Sequence, residues 1–346
     1  RRGSRRRMTA RELAAPLSLS GRYADQGRAA AAAVEAWGAA RGVSIEIHDD
    51  ASDPEEAARI ALALSRRFGV VLGPYGSGLS RAVAAALAST RTVVWNHGGA
   101  AITGARGRCV DVLSPAHRYW AALPRALSAI GVGIDRVAVA SGTTAFGRTV
   151  AMGAERALLE AGSVPLCRLE FDESSAPAAA EAAMALGADV IVSGGRIEEE
   201  LSLARAISGR GMIGALVVCG IRRAVEEIGS GLEGWLGPVQ WTPVHGPPPI
   251  DIGPEPEYPA AQALAACLLL ERSELRVSPP RQADEFWDAA RQLRTRTFFG
   301  EYAVDREGRQ LAHAPALVRW VRSEAGLRRV PVAMASDGSC LRQSGS

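Results

Sequence analysis

A glycine-rich loop, GPYGSG at residues 73–78, is the first place in the chain where the residue types suggest a chemistry. Glycines leave backbone N–H groups accessible, and loops of this kind can cradle phosphate groups. A P-loop continues into Gly-Lys-Ser/Thr, whereas this loop continues into Leu79, and the chain contains no lysine. Ser77 is not the nucleophile of a GxSxG elbow, because Tyr75 and Leu79 occupy the positions of its glycines. The loop therefore points to ligand contact without nucleotide or hydrolase chemistry.

The spacing of the histidines and cysteines does not support metal or redox chemistry. The five histidines show no HExxH or other metal-binding pattern, and the five cysteines are far apart, without a CxxC pair. An acidic cluster of Asp49, Asp50 and Asp53 could hold a cation, but we favour a solvated turn followed by a helix cap. No GxGxxG motif follows the first predicted strand. We therefore expect no metal, no cofactor and no enzymatic activity.

Length and composition indicate a globular protein with two lobes. The 346 residues exceed one comfortable hydrophobic core, and 47% apolar with 22% charged residues is the usual mix of a soluble protein. The net charge is +3 and the arginines are spread along the chain, which argues against a nucleic-acid partner. No apolar run reaches the roughly 20 residues of a membrane-spanning helix. The opening RRGSRRR lacks an apolar signal region, so either the true start lies upstream or the chain is cytoplasmic.

Short apolar runs alternate with alanine-rich amphipathic stretches along the chain. The runs predict strands at residues 13–19, 43–48, 70–72, 92–95, 136–140, 164–171, 190–193, 215–219 and 316–321. The stretches between them predict helices, and this alternation is typical of parallel sheets with helices on both faces. A proline-rich segment at residues 243–259 can form neither a regular helix nor a central strand, and we interpret it as a linker. In open α/β sheets, ligands bind at the carboxyl ends of the strands.

Several of these strand-end loops, together with two C-terminal segments, resemble a known family. The segments are PLSLSGRYADQG (16–27), HDDASDPEEAA (48–58), VVLGPYGSGLS (70–80), YPAAQALAA (258–266) and TFFGEYAVDREGRQLAHAPALVRW (297–320). In this order and spacing they are similar to the branched-chain amino-acid receptors, which are type I periplasmic binding proteins of ABC transporters. The similarity extends from Leu13 to Trp320.

The resemblance implies a fold and a domain organisation. The expected fold class is α/β: two Rossmann-like lobes of parallel sheet flanked by helices, joined by three hinge crossings, with a ligand cleft between the lobes. The crossings are expected near residues 120, 245 and 303. Lobe 1 would comprise residues 12–120 and 258–302, and lobe 2 residues 121–244 and 303–333. Residues 1–11 and 334–346 are predicted to be disordered.

The resemblance also implies a function. Members of the family are not enzymes: they capture a solute by hinge closure and deliver it to a membrane permease. We therefore expect a monomer that binds a small molecule, an amino acid or a similar compound, and that has an ABC permease as its partner. No cofactor and no nucleic acid is expected.

The resemblance assigns ligand contacts of the first lobe to the ends of two predicted strands. The family's ligand serine corresponds to Ser77, whose hydroxyl and the N–H groups of the following helix suit a carboxylate. A simple helix-capping role is the alternative. Backbone contacts correspond to Gly98, Gly99 and Ala100, where Ala100 stands in place of a hydroxyl residue of leucine-type receptors. Asn96 lies at the same strand end and is included in the predicted site.

Three further side chains correspond to positions around the ligand. Tyr23 matches an aromatic residue at the cleft mouth, or it anchors its own loop. Phe146 occupies the aromatic position of the second lobe, where it stacks on the ligand or belongs to the core. Arg196 lies in a strand-end loop, where it pairs with an acidic ligand group or stays a solvated surface residue. His97, next to Asn96, is interpreted as a packing or capping residue.

One departure from the family concerns the amino group of the ligand. Members that bind an α-ammonium use an acidic residue after the strand that corresponds to residues 215–219. This chain has Ile221 there, and Glu226 and Glu227 lie farther along a helix. Without a carboxylate partner, burial of the ammonium would be costly. The ligand is therefore an amino acid or a related amide or carboxylate, and the sequence does not choose among them.

Three functions stay open at this point. The first is a solute receptor of an ABC importer, periplasmic or anchored outside the cell membrane if an upstream signal is missing. The second is a cytoplasmic ligand-sensing regulatory protein of the same fold. The third, an α/β enzyme acting in the same cleft, is the least favoured because no nucleophile–base pair is visible.

Overall fold

The chain is divided between two units in the computed structural model, which describes residues 11–274 and 283–334. Of these described residues, one unit contains 11–113, 247–274 and 283–311, and the other contains 114–246 and 312–334. Each unit has its own mainly parallel sheet flanked by its own helices. The predicted fold class, α/β with two lobes, is confirmed.

Strands and helices alternate along most of the chain. The strands are β1 (Arg11–Leu17), β2 (Val43–Asp49), β3 (Val70–Leu72), β4 (Val93–Asn96), β5 (Arg108–Asp111), β6 (Val137–Gly142), β7 (Cys167–Phe171), β8 (Val190–Gly194), β9 (Ile213–Ala215), β10 (Leu236–Val239), β11 (Thr295–Thr297), β12 (Gly300–Tyr302), β13 (Ala316–Ser323) and β14 (Gly326–Met334). The helices are α1 (Ala24–Arg41), α2 (Pro54–Leu64), α3 (Ser77–Ala86), α4 (Leu123–Ala129), α5 (Ala145–Glu160), α6 (Ala176–Ala185), α7 (Ile197–Ile207), α8 (Arg223–Ile228), α9 (Tyr258–Glu274) and α10 (Ala283–Gln292). Short 3-10 turns include Ala116–Arg118 and Val217–Gly220.

The first unit has a five-stranded sheet in the order β2-β1-β3-β4-β5, with every pair parallel. Helices cover both faces of this sheet. Neighbouring residues of β4 point to opposite faces, and each packs against a different helix. Val94 packs into a cluster with Leu79 and Val83 of α3. Trp95 instead packs edge-on against Phe286 of α10, with ring centroids 6.1 Å apart. This two-sided cover explains why β3 and β4 are continuous apolar runs up to the last residue of β4.

The second unit has a seven-stranded sheet in the order β14-β13-β10-β9-β8-β6-β7. The pairs among β6 to β10 are parallel, and an antiparallel hairpin of β13 and β14 joins β10 at one edge. β8 is buried along its whole length, as expected for a strand covered on both faces. The parallel strands all end at the same edge of this sheet, which is where their loops meet.

The predicted strand at residues 215–219 is wrong in its position. β9 ends at Ala215, and Val217–Gly220 form a 3-10 turn. The turn packs directly on β10, since a Cβ on Gly220 would lie only 2.2 Å from the carbonyl oxygen of Pro238. The apolar run therefore packs on β10 as a 3-10 turn and not as an extended strand.

The units divide at residues somewhat different from those expected. Residues 114–120 belong to the second unit. Their 3-10 turn packs on α5 so closely that a Cβ on Gly153 would lie 2.1 Å from the His117 carbonyl oxygen. The segment that follows β12 belongs to the first unit, where Gln310 Nε2 donates to the Val112 carbonyl over 3.1 Å. Packing of single turns against one unit therefore decides the boundaries, and the sequence does not reveal that packing.

The two ends of the chain were predicted to be disordered. Residues 1–10 and 335–346 lie outside the described residues. Arg11 and Met334, which that prediction included, belong to β1 and β14. The Met334 carbonyl accepts a hydrogen bond of 2.7 Å from Arg125. Among the described residues, no helix is long and apolar enough to cross a membrane.

Candidate functional site

Two strand-end loops of the first unit lie side by side. The loop after β3 and the loop after β4 form an isolated parallel bridge between Tyr75 and Gly98. Gly76 N–H donates to the Gly98 carbonyl over 3.0 Å. A Cβ on Gly98 would lie 2.4 Å from the Pro74 carbonyl oxygen and 2.5 Å from Tyr75 Cα, so only glycine fits there. The glycine loop and the loop after β4, predicted separately, therefore form one surface.

Ser77 is the first residue of α3 and contacts the second of these loops. Its Oγ accepts a hydrogen bond of 3.1 Å from Ala101 N–H, and the hydroxyl keeps its own proton to donate. The first N–H groups of an α-helix have no acceptor within the helix, and the helix dipole adds partial positive charge there. Gly76, which precedes Ser77, has φ of +104°, a conformation that favours glycine. A hydroxyl donor and helix N–H groups at one point suit an anionic group.

The Asn96 side chain supports the loop after β4 by hydrogen bonds from its buried side. Its side chain is fully buried. Its Oδ1 accepts from Gly98 N–H (3.3 Å) and Gly99 N–H (2.8 Å), and its Nδ2 donates to Gly99 O (2.7 Å) and Asp111 Oδ1 (2.8 Å). These bonds use the full capacity of a side-chain amide. The Asn96 side chain therefore supports the loop that Gly98, Gly99 and Ala100 form, and the predicted ligand contacts of these four residues stay predictions.

His97 and Ala100 are buried in the same loop. His97 has no exposed surface, and burial lowers the pKa of its imidazole to about 4. The ring is therefore neutral at pH 7 and packs inside the unit, in line with the packing interpretation. Ala100 is 8% exposed. Its methyl group therefore forms little of the loop surface, and any ligand contact at this residue would involve its backbone.

Three tyrosines gather beside the glycine loop of the first unit. Tyr23, just before α1, is held by its backbone N–H, which donates to Ser52 Oγ over 3.0 Å. Its ring lies edge-on to Tyr75, with centroids 5.7 Å apart, and the Tyr75 and Tyr258 hydroxyls are 3.0 Å apart. Tyr23 was predicted, but Tyr75 and Tyr258 were missed. The available signal was the tyrosine inside GPYGSG and the one that opens α9.

The two predicted residues of the second unit lie near the ends of its parallel strands. Phe146, in the first turn of α5 after β6, is half-buried and lies edge-on to Tyr119, with ring centroids 5.7 Å apart. Arg196 precedes α7 after β8, and its side chain is 49% exposed, with Nη1 3.9 Å from Glu199 Oε1. Both are therefore at a strand-end edge, Phe146 as part of an aromatic pair and Arg196 as an exposed cation.

Two buried carboxylates at the start of α7 were missed by the sequence analysis. Glu199 accepts hydrogen bonds of 2.8 Å from Thr143 Oγ1 and from Arg196 N–H. The available signal was the run of three glutamates at residues 198–200, one short loop after a buried strand. Because Glu199 holds the loops that follow β6 and β8 together, it organises this edge of the second unit.

The neighbouring Glu200 holds the turn after β9. It accepts from Ser193 Oγ (2.7 Å), Val217 N–H (3.2 Å) and Val218 N–H (2.5 Å). Burial raises the pKa of the Glu200 carboxyl to about 7, although these donors favour the charged form. The Glu200 carboxyl is thus a titratable group that holds the backbone of the turn after β9.

The acidic cluster of the first unit is a turn and a helix cap. Asp53 accepts from Glu55 N–H (2.7 Å) and Glu56 N–H (3.0 Å) at the start of α2, so the capping interpretation is confirmed. Asp49 accepts from the N–H groups of Leu19 and Ala51. In the described part of the chain, no three His, Cys, Asp or Glu residues are grouped so that they could hold a metal ion.

Solved structures with the same fold include receptors for different solutes. A leucine binding protein LivK from Thermotoga maritima has 18% identity and a TM-score of 0.78, over 94% of this chain and 98% of that one. An ABC-transporter solute binding protein from R. palustris, in complex with 4-hydroxybenzoate, has 16% identity and a TM-score of 0.80, over 97% and 100%. A leucine-, isoleucine-, valine-, threonine- and alanine-binding protein from Brucella ovis has 15% identity and a TM-score of 0.81, over 94% and 95%. The search of curated proteins gave no match.

A family model described as periplasmic binding protein matches residues 12–326 of this chain. The matched range contains the sheets of both units except Arg11 of β1 and all but the first residue of β14. It also contains the glycine loop with Ser77 and the strand-end residues of the second unit. The chain therefore belongs to the type I periplasmic binding protein family.

Proposed function

We propose that this protein is the solute receptor of an ABC-type importer and that it captures a small organic carboxylate. The family consists of non-enzymatic solute-binding proteins, and this chain is proposed to act in the same way, without turnover of its ligand. The observation that carries the proposal is the joined pair of loops in the first unit, where Ser77 contacts Ala101 over 3.1 Å.

The chemistry of these loops favours an anion. The Ser77 hydroxyl and the first N–H groups of α3 are hydrogen-bond donors at the positive end of the helix dipole. The N–H groups of Gly98 and Gly99 already donate to Asn96 Oδ1, so the donors proposed for the ligand are those of Ser77 and the start of α3. A carboxylate is the small organic group that uses several such donors at once.

The remainder of the ligand is proposed to be apolar or aromatic and to lack a buried ammonium group. Tyr23 and Tyr75 offer aromatic surface beside the anion-binding loops. In the second unit, Glu199 and Glu200 already accept hydrogen bonds from their own loops. Proteins of similar fold are named for binding leucine or were solved with 4-hydroxybenzoate, and the second kind of ligand fits these groups better.

A panel of matched compounds tests the proposal by thermal shift and calorimetry. Benzoate and 4-hydroxybenzoate test an aromatic carboxylate, benzamide lacks the charge, and leucine with its desamino analogue 4-methylpentanoate isolates the amino group. We expect the carboxylates without an amine to raise the melting temperature, because a ligand that binds only the folded state stabilises it. Benzamide should have no effect. Binding of benzamide as strongly as benzoate, or no binding of any carboxylate, would contradict the proposal.

Ser77→Ala is the mutation that tests the site. We expect the affinity for the best carboxylate of the panel to fall by about 1–2 kcal/mol, which is the scale of one hydrogen bond to a charged group. Ser77→Thr keeps the hydroxyl and is the matched control, with an expected loss well below that of alanine. Equal affinities of the alanine variant and the natural protein, measured by calorimetry, would remove Ser77 from the site.

The transport role extends the same proposal. We propose a periplasmic monomer that closes on its solute by a hinge motion and presents it to a membrane permease. Small-angle X-ray scattering with saturating ligand tests the closure, since the radius of gyration should decrease. An unchanged radius of gyration in the presence of a bound carboxylate would contradict the proposed closure but not the proposed binding function. A cytoplasmic sensor of the same fold is the alternative, and co-purification with a permease distinguishes the two.

A further inference from the structure

We propose that Arg106 and Asp111 are positioning residues for the ligand loop, and that they act through the side-chain amide of Asn96. The ligand loop is defined here as residues 97–101. The proposal rests on the proposed function, because it assigns these residues to the loop that is proposed to hold the carboxylate. Neither Arg106 nor Asp111 lies in the predicted site.

The three side chains form a continuous buried chain of hydrogen bonds. Arg106 Nη2 donates to Asp111 Oδ2 over 2.8 Å, and Asn96 Nδ2 donates to Asp111 Oδ1 over 2.8 Å. The Arg106 and Asp111 side chains are only 9% and 12% exposed. Asn96 has no exposed surface. The chain therefore runs from an ion pair to the underside of the ligand loop, with little access to water.

The charge on Asp111 favours one orientation of the Asn96 amide. An ionised carboxylate can only accept hydrogen bonds, so it requires the NH2 group of Asn96 on its side. The amide oxygen is then turned toward Gly98 and Gly99, whose N–H groups it accepts at 3.3 and 2.8 Å. If the amide were reversed, its NH2 group would face these two N–H donors and the loop would lose both bonds.

Arg106 favours the charged form of Asp111 that this arrangement needs. Burial raises the pKa of the Asp111 carboxyl above its ordinary value, and the Arg106 guanidinium opposes part of that shift. A neutral, protonated Asp111 could donate to the Asn96 oxygen and would no longer oppose the reversed amide. The ion pair therefore adds to the bonds of Asn96 with Gly98 and Gly99 in favouring one orientation of this amide.

A merely stabilising role explains this ion pair less well. Buried ion pairs contribute little net stability because the cost of removing both charges from water offsets their attraction. A polar network that selects one arrangement of a loop is a better-attested use of such a pair. Here the selected arrangement also sets Ala101, whose N–H donates to Ser77 Oγ.

Amide hydrogen exchange measured by NMR tests the relay without any ligand. In Asp111→Asn, exchange of the Gly98 and Gly99 amides should accelerate by about tenfold or more relative to the natural protein, because local opening becomes easier. The Val94 amide in β4 should keep its exchange rate. Acceleration of all three amides together would mean a general loss of stability and would overturn the positioning role, as would unchanged rates at Gly98 and Gly99.

Two further variants complete the test. Asp25→Asn makes the same chemical change in an exposed ion pair with Arg28 (2.6 Å), and it should leave the Gly98 and Gly99 exchange rates unchanged. Arg106→Gln removes the cation while keeping a donor for Asp111, and it should accelerate exchange at Gly98 and Gly99 even if Asp111→Asn does not fold. Normal exchange in Arg106→Gln would overturn the proposal.

Calorimetry with 4-hydroxybenzoate separates the relay from the proposed function. If the natural protein binds this probe, Arg106→Gln should weaken binding at least about fivefold while the Asp25→Asn control binds normally. Equal binding in Arg106→Gln and the natural protein would overturn the relay alone. If Gly98 exchange is faster in Arg106→Gln but the natural protein binds no carboxylate, the result would support the relay and contradict the proposed function.

Discussion

The loop after β4 in the first unit and the turn after β9 in the second unit are held by different chemistry. A neutral amide, Asn96, supports the first by both donating and accepting hydrogen bonds. A carboxyl group, Glu200, supports the second by accepting hydrogen bonds from the N–H groups of Val217 and Val218. The second unit thus uses backbone donors for its own support. The first unit also uses backbone donors, those of Gly98 and Gly99, to support its loop, and the anion is proposed to bind the separate N–H groups at the start of α3.

The two supports also differ in how their charge is compensated. Asp111 in the first unit is paired with the guanidinium of Arg106 at 2.8 Å. Glu200 in the second unit is held by a hydroxyl and two backbone N–H groups, and burial raises the pKa of its carboxyl to about 7. The comparison therefore predicts a first-unit loop that depends on close packing and fixed charge, and a second-unit turn that depends on a titrating group.

The largest effect is expected from Gly98→Ala in the first unit. Its Cβ would lie 2.4 Å from a backbone oxygen and 2.5 Å from a Cα, and neither backbone atom can move without breaking the bridge between the two loops. We expect the free energy of unfolding to fall by about 3 kcal/mol and carboxylate binding to be lost, because overpacking of backbone cannot relax. Denaturation by urea and calorimetry measure the two effects.

Gly78→Ala is the matched control for that change. It lies next to Ser77 in α3, and a Cβ there would meet nothing within 4 Å. Alanine favours the helix over glycine, so stability should rise slightly, by about 0.5–1 kcal/mol. Similar losses in both variants would mean that the close approach of the loops does not distinguish Gly98.

A smaller loss is expected from Glu200→Ala in the second unit. The mutation leaves Ser193 Oγ and two backbone N–H groups without their acceptor, and buried unsatisfied donors are costly. Removal of a buried carboxyl offsets part of that cost, so the expected loss of unfolding free energy is about 2 kcal/mol. Thermal denaturation followed by circular dichroism measures it.

Glu198→Ala tests whether that loss is specific. Glu198 lies in the same turn of α7 but contacts Arg223 only at 4.0 Å and is about one-third exposed. Its removal should change stability by less than about 0.5 kcal/mol. An equal loss in the two variants would show that any glutamate of this turn matters, and it would remove the contrast between the two supports.

The sequence predicts most of the fold because most strands are apolar on both faces. Runs such as residues 70–72 and 190–193 have few alternatives to a buried parallel strand. The sequence analysis missed β5, with the sequence RCVD, and β10, with the sequence LGPV. Both are short, and their charged residues or proline are not typical of a buried strand, so only pairing with neighbouring strands identifies them. β14 was missed because GLRRVPVAM, an edge strand, carries arginines and a proline that lie at the border of the sheet.

The loop residues of the candidate site were predicted from the family resemblance. Gly98 was one of them, and the close approach of two loops gives the physical reason for a glycine there. The role of Asn96 was not predictable, since it depends on Asp111, which lies in an adjacent strand that the sequence did not reveal. Glu200 was missed because a glutamate at the start of a helix is ordinarily exposed, and only the turn after β9 buries it.

The smallest effect, and the one that compares both units directly, is the response to pH. The pKa of His97 is lowered by burial to about 4, so between pH 4 and 6.5 the unfolded chain binds a proton that the folded chain does not. This contribution to stability therefore rises with pH in that window. The pKa of Glu200 is raised to about 7, so between pH 4.5 and 7 the folded chain holds a proton that the unfolded chain has released. That contribution falls as pH rises.

Single variants isolate the two opposing slopes between pH 5 and pH 6. Each group should change the unfolding free energy by roughly 1 kcal/mol over this unit of pH, with opposite signs. On going from pH 5 to 6, His97→Gln should lose stability relative to the natural protein, and Glu200→Gln should gain stability relative to it. His313, whose pKa burial lowers to about 3, contributes equally to all three proteins and cancels in these differences. Slopes of the same sign in the two variants, measured by urea denaturation, would contradict the assignment of a proton-excluding group to the first unit and a proton-holding group to the second.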